Sequence, residues 1–220
     1  MKRNCIIFIF LILSGNIFAD NIKTSLEKTP ITSIPFDCTK CVPYLEPTYA
    51  FPTEKGDNFP LATYNDLGLT QKNADPNTNC VIFRKFKPHN GNFDLLALDL
   101  TVSDLGKKIL VTYHEGKLID YIEAEVSWFS GGIICVKQWH INANEEIVVT
   151  WLKVESSTPI LAFSNFNSIH AQRIDIHCEI DSSGKFQEIK QVKYQPQTYT
   201  KAYLTDKNKN LWEGNEPLIQ

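Results

Sequence analysis

The chain has 220 residues, of which 43% are hydrophobic and 21% are charged. This balance excludes a disordered protein, and the 10 glycines and 11 prolines are too few for a collagen-like chain. The net charge is −3 and no basic block occurs, which argues against nucleic acid or an anionic membrane surface as the partner. The length suits one β domain of ordinary size or two small ones, with a buried core.

Residues 1–19 have the parts of a secretory signal peptide. A basic start is followed by an apolar run from Ile6 to Leu13, and Ala19 provides a cleavage site before Asp20. The apolar run is too short to span a bilayer, so we expect no membrane span. The sequence therefore predicts a soluble mature chain that begins at Asp20 in an extracytoplasmic compartment, either secreted or periplasmic.

Prolines are concentrated in residues 20–92, which contain eight of the 11 in the chain. Proline fixes φ and cannot donate a backbone hydrogen bond, so neither a regular central sheet nor a long helix is expected there. Aromatic residues such as Phe36, Tyr44 and Phe51 are interleaved with the prolines, whereas a disordered tail would lack them. We therefore predict that residues 20–92 form an irregular, extended, cysteine-bearing wrap packed on the main domain.

Short apolar segments separated by turn residues characterise residues 93–220. From Arg173 to Ile180, apolar and polar side chains alternate strictly, which predicts a strand with one apolar and one polar face. Connections of about two to six residues favour antiparallel neighbours. The prediction is an all-β antiparallel meander of roughly eight or nine strands, which closes as a sandwich or a barrel.

Five cysteines remain after the predicted cleavage, an odd number that leaves at least one thiol free or bound to another molecule. In an oxidising compartment we expect the others to form disulfides, at least one of which ties residues 38–80 to the strands. A bridge between Cys135 and Cys178 across the core is attractive, although sequence alone leaves the pairing open. The disulfide candidates are Cys38, Cys41, Cys80, Cys135 and Cys178.

The Cys38-Thr39-Lys40-Cys41 motif has two other interpretations. A redox dithiol needs a following helix to lower the pKa of its first thiol, and Val42-Pro43 does not start one. A zinc knuckle needs two further ligands, and no second CxxC or HxxxH occurs. We therefore favour structural disulfides and predict no metal site.

Familiar catalytic motifs are absent from the sequence. It contains no G-x-S-x-G, H-E-x-x-H, phosphate-binding loop or G-x-G-x-x-G, so we predict neither a catalytic residue nor a cofactor. The row Asp175, His177 and Glu179 on one strand face could orient the imidazole as a general base or offer a weak metal site. A solvated strand face with local charge pairing is the commoner outcome of such a row.

Aromatic side chains are the remaining candidates for a binding surface. Trp128 and Phe129 precede two glycines in a predicted connection, which suits stacking on a carbohydrate or contact with a protein. The two rings could equally cap the core. His140 follows Trp139 near a strand end and could lie at a pocket rim. The candidate binding residues are Trp128, Phe129, Trp139, His140 and His177.

Together these features favour a non-catalytic binding module for a protein partner or an envelope glycan. The first alternative is an extracytoplasmic hydrolase that uses carboxylates or a histidine such as His177. The second alternative is a structural envelope component that assembles through an exposed sheet edge.

Overall fold

The computed structural model of the protein describes residues 26–27, 29–38, 79–102, 105–115, 117–128, 136–155, 167–206 and 208–219. In parts of several strands it describes the backbone alone, for example at Cys80 and Trp128. The described residues form two antiparallel β-sheets with very little helix, and this confirms the predicted all-β antiparallel fold. None of their helices is long and apolar enough to cross a membrane. The predicted leader lies outside these ranges.

The strands mostly follow the predicted apolar segments. In chain order they are β1 (Phe36–Asp37), β2 (Asn79–Phe86), β3 (Asp94–Val102), β4 (Leu105–His114), β5 (Lys117–Trp128), β6 (Val136–Ile141), β7 (Ile147–Val154), β8 (Ser168–Ile180), β9 (Phe186–Lys193) and β10 (Gln197–Thr200). A short α-helix, α1 (Lys201–Thr205), and a 3₁₀ helix (Leu211–Glu213) follow them.

The strands divide between a four-stranded and a six-stranded sheet. The four-stranded sheet has the order β2–β3–β4–β5. The six-stranded sheet has the order β1–β6–β7–β8–β10, and β9 also pairs with β8. Strand β8 is 13 residues long, so its first part can pair with β10 and its second part with β9.

Strand β2 lies inside the segment that was predicted to be an irregular wrap. It pairs with β3 along its length, so the four-stranded sheet contains residues on both sides of the predicted boundary at residue 93. The physical reason is local: the run NCVIFRKF has no proline and is rich in β-branched and aromatic residues, which favour a strand.

Residues 29–38 are extended and contact both sheets. The backbone N–H of Thr32 donates to the carbonyl of Lys85 in β2 over 2.7 Å. Further along, β1 pairs with the end of β6, and the N–H of Cys38 donates to the carbonyl of Trp139 over 3.0 Å. This part of the predicted wrap therefore lies against sheet edges, and residues 39–78 lie outside the described ranges.

Both sheets contribute to one hydrophobic core, which is centred on Trp139. The indole is fully buried, and its ring centroid lies 5.2 Å from that of Phe36 and 6.4 Å from those of Phe83 and Phe86. Leu95 and other buried residues of the two sheets complete this cluster. The choice between a sandwich and a barrel stays a prediction.

The hairpin of β8 and β9 packs against the four-stranded sheet. Its turn requires a glycine, because Gly184 has a φ of 85° and a Cβ there would lie 2.8 Å from the Cδ1 of Ile119. The hydroxyl of Thr112 donates to the carbonyl of Gly184, and the N–H of Phe186 donates to the carboxylate of Asp120 over 3.0 Å. These contacts join the two sheets at one end.

A C-terminal segment, residues 201–206 and 208–219, covers the outer face of the six-stranded sheet. Leu204 and Leu211 are buried there against Leu152 and Tyr199. The face of β8 that was predicted to be polar and solvated is therefore partly buried, with Arg173 and Asp175 only 3% and 5% exposed. The alternation along β8 was read correctly, but it gave no sign of the segment that covers its polar side.

Candidate functional site

A cavity of about 140 Å³ opens at the end of the molecule where residues 87–91 and 142–145 connect strands. We call it the end pocket. Its apolar lining consists of Leu95 and Ile141, which are fully buried at the base, the buried Pro88, and the partly buried Ile34 and Ile180. Its rim is polar and consists of Asn90, Asn144, Glu145 and Glu179. The end pocket therefore joins an apolar base to a polar, acidic rim.

Glu145 is held at this rim by an unusual backbone conformation. Its φ is 67°, a left-handed value that few residues other than glycine adopt. The turn that imposes it is closed by two hydrogen bonds, from the N–H of Glu145 to the carbonyl of Asn142 (2.9 Å) and from the N–H of Asn142 to the carbonyl of Glu146 (2.8 Å). Strained residues of this kind are enriched at functional sites.

The carboxylate of Glu145 links this turn to the connection between β2 and β3. The backbone N–H of His89 donates to both carboxylate oxygens, over 3.0 and 3.1 Å, and the His89 Nδ1 also contacts one of them. The side chain of Glu145 is only 15% exposed, whereas that of His89 is 89% exposed. Residues 56 positions apart are thereby brought together beside the end pocket.

His177 pairs with a carboxylate that the sequence did not predict. Its Nδ1 lies 2.9 Å from the Oε1 of Glu146, and Asn142 donates to the other oxygen over 2.8 Å. Burial raises the pKa of Glu146, but these two hydrogen bonds and the nearby charges of His177 and Lys190 together lower it. The predicted row does not act as a unit, because Asp175 is bound elsewhere and Glu179 lines the end pocket.

His140 packs against the C-terminal segment. Its ring centroid lies 4.5 Å from that of Trp212, and its Nδ1 has no hydrogen-bond partner among the described residues. Burial lowers the pKa of His140, while the nearby charges of Asp37, Asp175 and Glu146 oppose this effect and His177 adds to it. The half-buried imidazole of His140 therefore lies against Trp212 and is not among the residues that line the end pocket.

We expect His140 to make stability depend on pH. Because its pKa is lowered in the folded state, the unfolded chain binds more protons below the ordinary value of 6.5. The free energy of unfolding should therefore fall as the pH drops from 6.5 through the folded-state pKa. In His140→Phe, which keeps the ring contact, urea unfolding at a series of pH values should show a smaller fall. The exposed control His170→Phe should behave like wild type, and an unchanged slope in His140→Phe would contradict the assignment.

A buried ionic network fixes the C-terminal segment to β8. The Nε and Nη2 of Arg173 donate to the two oxygens of Asp175 over 3.0 and 2.6 Å, and its Nη1 donates to Glu216 over 3.1 Å. The same guanidinium donates to the carbonyls of Trp212 and Gly214. Sequence reasoning missed this network, because Glu216 lies 43 residues from Arg173 and no local pattern connects them.

Tyrosine and threonine hydroxyls occupy further acceptor positions of the two carboxylates. Tyr199 donates to Glu216 over 2.8 Å, while Tyr194 and Thr150 donate to Asp175 over 3.1 and 2.8 Å. Burial, followed by the hydrogen bond to Glu216, raises the pKa of Tyr199. With their oxygens engaged in this way, Asp175 and Glu216 are suited to holding the fold and poorly suited to acid–base chemistry.

Some of the predicted cysteine and aromatic site residues are buried in the core, and the side chains of the others are not described. Cys178, one of the five disulfide candidates, is a buried free thiol, so the bridge to Cys135 that the sequence left open does not form. Burial raises the pKa of Cys178 to about 11. Trp139 is fully buried and therefore belongs to the core, which corrects its assignment to a binding surface. Trp128 ends β5 opposite Leu105 instead of lying in a connection. The side chains of Trp128 and Phe129, and those of Cys41, Cys80 and Cys135, are not described.

No protein-family model, curated protein or solved structure matches this chain. Within the described ranges, no three His, Cys, Asp or Glu residues are grouped to hold a metal ion. The end pocket is therefore the candidate binding site, because its shape and lining are seen directly in the structure. The His177–Glu146 pair is the candidate for proton transfer.

Proposed function

We propose that this protein is an exported, non-catalytic binding module that captures a protein partner by one anchoring side chain in the end pocket. The observation that carries the proposal is the size of the pocket. Its volume of about 140 Å³ is well below the ~300–1,000 Å³ of small-molecule sites. An engineered apolar cavity of ~150 Å³ holds a benzene molecule, a group the size of one side chain.

The distribution of polarity also supports a protein partner. Interfaces concentrate their affinity in buried pockets that are surrounded by a polar rim, and the end pocket has this arrangement. The described residues that line it include no aromatic side chain on which a sugar could stack. A protein partner is therefore favoured over an envelope glycan.

The alternative function, an extracytoplasmic hydrolase, is supported by the 2.9 Å contact between His177 and Glu146. A carboxylate in this position orients an imidazole for general-base catalysis. The two functions make different demands on the same variant. Under our proposal His177→Gln retains partner capture, whereas under the alternative it abolishes turnover of the substrate.

The second alternative, a structural component that assembles through an exposed sheet edge, is not supported by the features of β9. An irregularity in its pairing with β8 at His177 and Cys178, the bond from Phe186 to Asp120, and the bridge between Tyr194 and Leu218 all interrupt that edge. Bulges and covering segments of this kind protect sheet edges against pairing with other chains.

Export is the part of the proposal that concerns the compartment. It is supported by the leader-like residues 1–19, whose basic start, apolar run and Ala19 cleavage site are typical of a signal peptide. We expect the mature protein to begin at Asp20, which the intact mass of the exported protein would test. A product that retains Met1 would contradict export.

Site-specific photo-crosslinking tests partner capture. A photoreactive amino acid placed at the exposed rim positions Asn90 or Asn144 should yield one discrete crosslinked protein in the producing cells. The control position is Glu155, at the opposite end of β7 from the end pocket, and it should yield none. Equal crosslinking at all three positions, or none at the rim, would contradict the proposal.

A further inference from the structure

The negative charge at the rim of the end pocket indicates which kind of partner segment it can bind. Two carboxylates, those of Glu145 and Glu179, stand at its rim, and no lysine or arginine is among the described residues that line it. His89 takes up at most three of the roughly four acceptor positions of the Glu145 carboxylate, so at least one remains for a partner. The rim amides of Asn90 and Asn144 add carbonyl acceptors without adding positive charge.

The position of these charges determines which group of the partner binds at the base of the pocket and which binds at its rim. The base of the pocket is formed by Leu95 and Ile141, which are both about 1% exposed and apolar. An ammonium or guanidinium group at this base would lose its water without gaining a partner. An aliphatic side chain suits the base, and a cation suits the rim directly above it.

Resting on the function proposed above, we infer that the end pocket binds a basic segment of the partner protein in which an aliphatic residue is followed or preceded by lysine or arginine. The aliphatic side chain contacts Leu95, Ile141 and Ile180 at the base. The flanking cation lies across the rim and pairs with Glu145 and Glu179. The aliphatic stem of lysine or arginine can lie along the apolar surface while its charged end reaches the carboxylates at the rim.

The experiment uses short capped peptides as probes and NMR chemical-shift changes of the full chain as the readout. The three probes are N-acetyl-Leu-Lys-amide, N-acetyl-Leu-Glu-amide and N-acetyl-Ser-Lys-amide. We expect the Leu-Lys probe to shift the amides of residues 88–95 and 141–145 in a saturable manner. The Leu-Glu probe should bind about fivefold more weakly, as expected for the loss of rim ion pairs. The Ser-Lys probe, which lacks the anchor, should leave these amides unshifted.

Matched variants assign the charge effect to the rim. Glu145→Gln and Glu179→Gln should each reduce the preference for Leu-Lys over Leu-Glu, whereas Glu155→Gln should leave it unchanged. Equal binding of Leu-Lys and Leu-Glu by wild type, or an unchanged preference in both rim variants, would overturn the inference about charge and leave the proposed function standing. Failure of both leucine probes to shift the pocket amides would overturn the inference as well, and the crosslinking experiment would then decide separately whether the rim meets a partner.

Discussion

Arg173→Ala is expected to lower the free energy of unfolding by about 3–5 kcal/mol, because it leaves two carboxylates buried without their cation. Arg173 is 3% exposed and binds Asp175 and Glu216 together with the carbonyls of Trp212 and Gly214. Its removal takes away the groups that join β8 to the C-terminal segment. Urea unfolding at neutral pH, followed by circular dichroism, measures the loss.

The control for this variant is Lys153→Ala on the neighbouring strand β7. Lys153 lies beside Gln172 of β8 and is exposed, so its truncation should change the free energy of unfolding by less than about 0.5 kcal/mol. A loss below about 1 kcal/mol in Arg173→Ala would show that the network stabilises the fold much less than its geometry indicates.

Trp139→Ala should be comparably costly, with an expected loss of about 3–5 kcal/mol in the free energy of unfolding. The indole is fully buried among Phe36, Phe83 and Phe86, so truncation leaves a large cavity between the sheets. Trp139→Phe should cost less, since it keeps a ring in place and removes an indole N–H that has no described hydrogen-bond partner. Chemical denaturation of the two variants measures both effects.

A matched surface aromatic provides the comparison for Trp139. Tyr121 on β5 is 43% exposed, and Tyr121→Ala should reduce stability much less than Trp139→Ala. Similar losses in the two alanine variants would mean that Trp139 does not anchor the core, and its earlier interpretation as a binding residue would have to be considered again.

Local patterns were sufficient to predict much of the fold. The alternation of apolar and polar residues from Arg173 to Ile180 located the second half of β8, and the short connections predicted its antiparallel neighbours. The same pattern placed Arg173 correctly on the polar side of β8 but did not predict that this side chain is buried. Whether that side meets water depends on the C-terminal segment, and a contact between residues 43 positions apart has no local signal.

The end pocket could not be predicted from local patterns either, because it is formed by segments that are far apart in the sequence. The turn residues Asn142 to Asn144 and His89 lie in two different connections between strands. Their meeting depends on how two sheets are placed relative to each other, which neither segment encodes alone. The left-handed backbone of Glu145 was equally hidden, because glutamate is not a residue that signals a positive φ.

The most direct test of partner capture through the end pocket is hydrogen–deuterium exchange of the protein alone and in complex with the partner recovered by crosslinking. Our account predicts slower exchange of the backbone amides in residues 87–93, 142–146 and 179–181, with no change in residues 150–155 and 167–171. Protection confined to the edge strand β9, or absent from the residues around the end pocket, would contradict it.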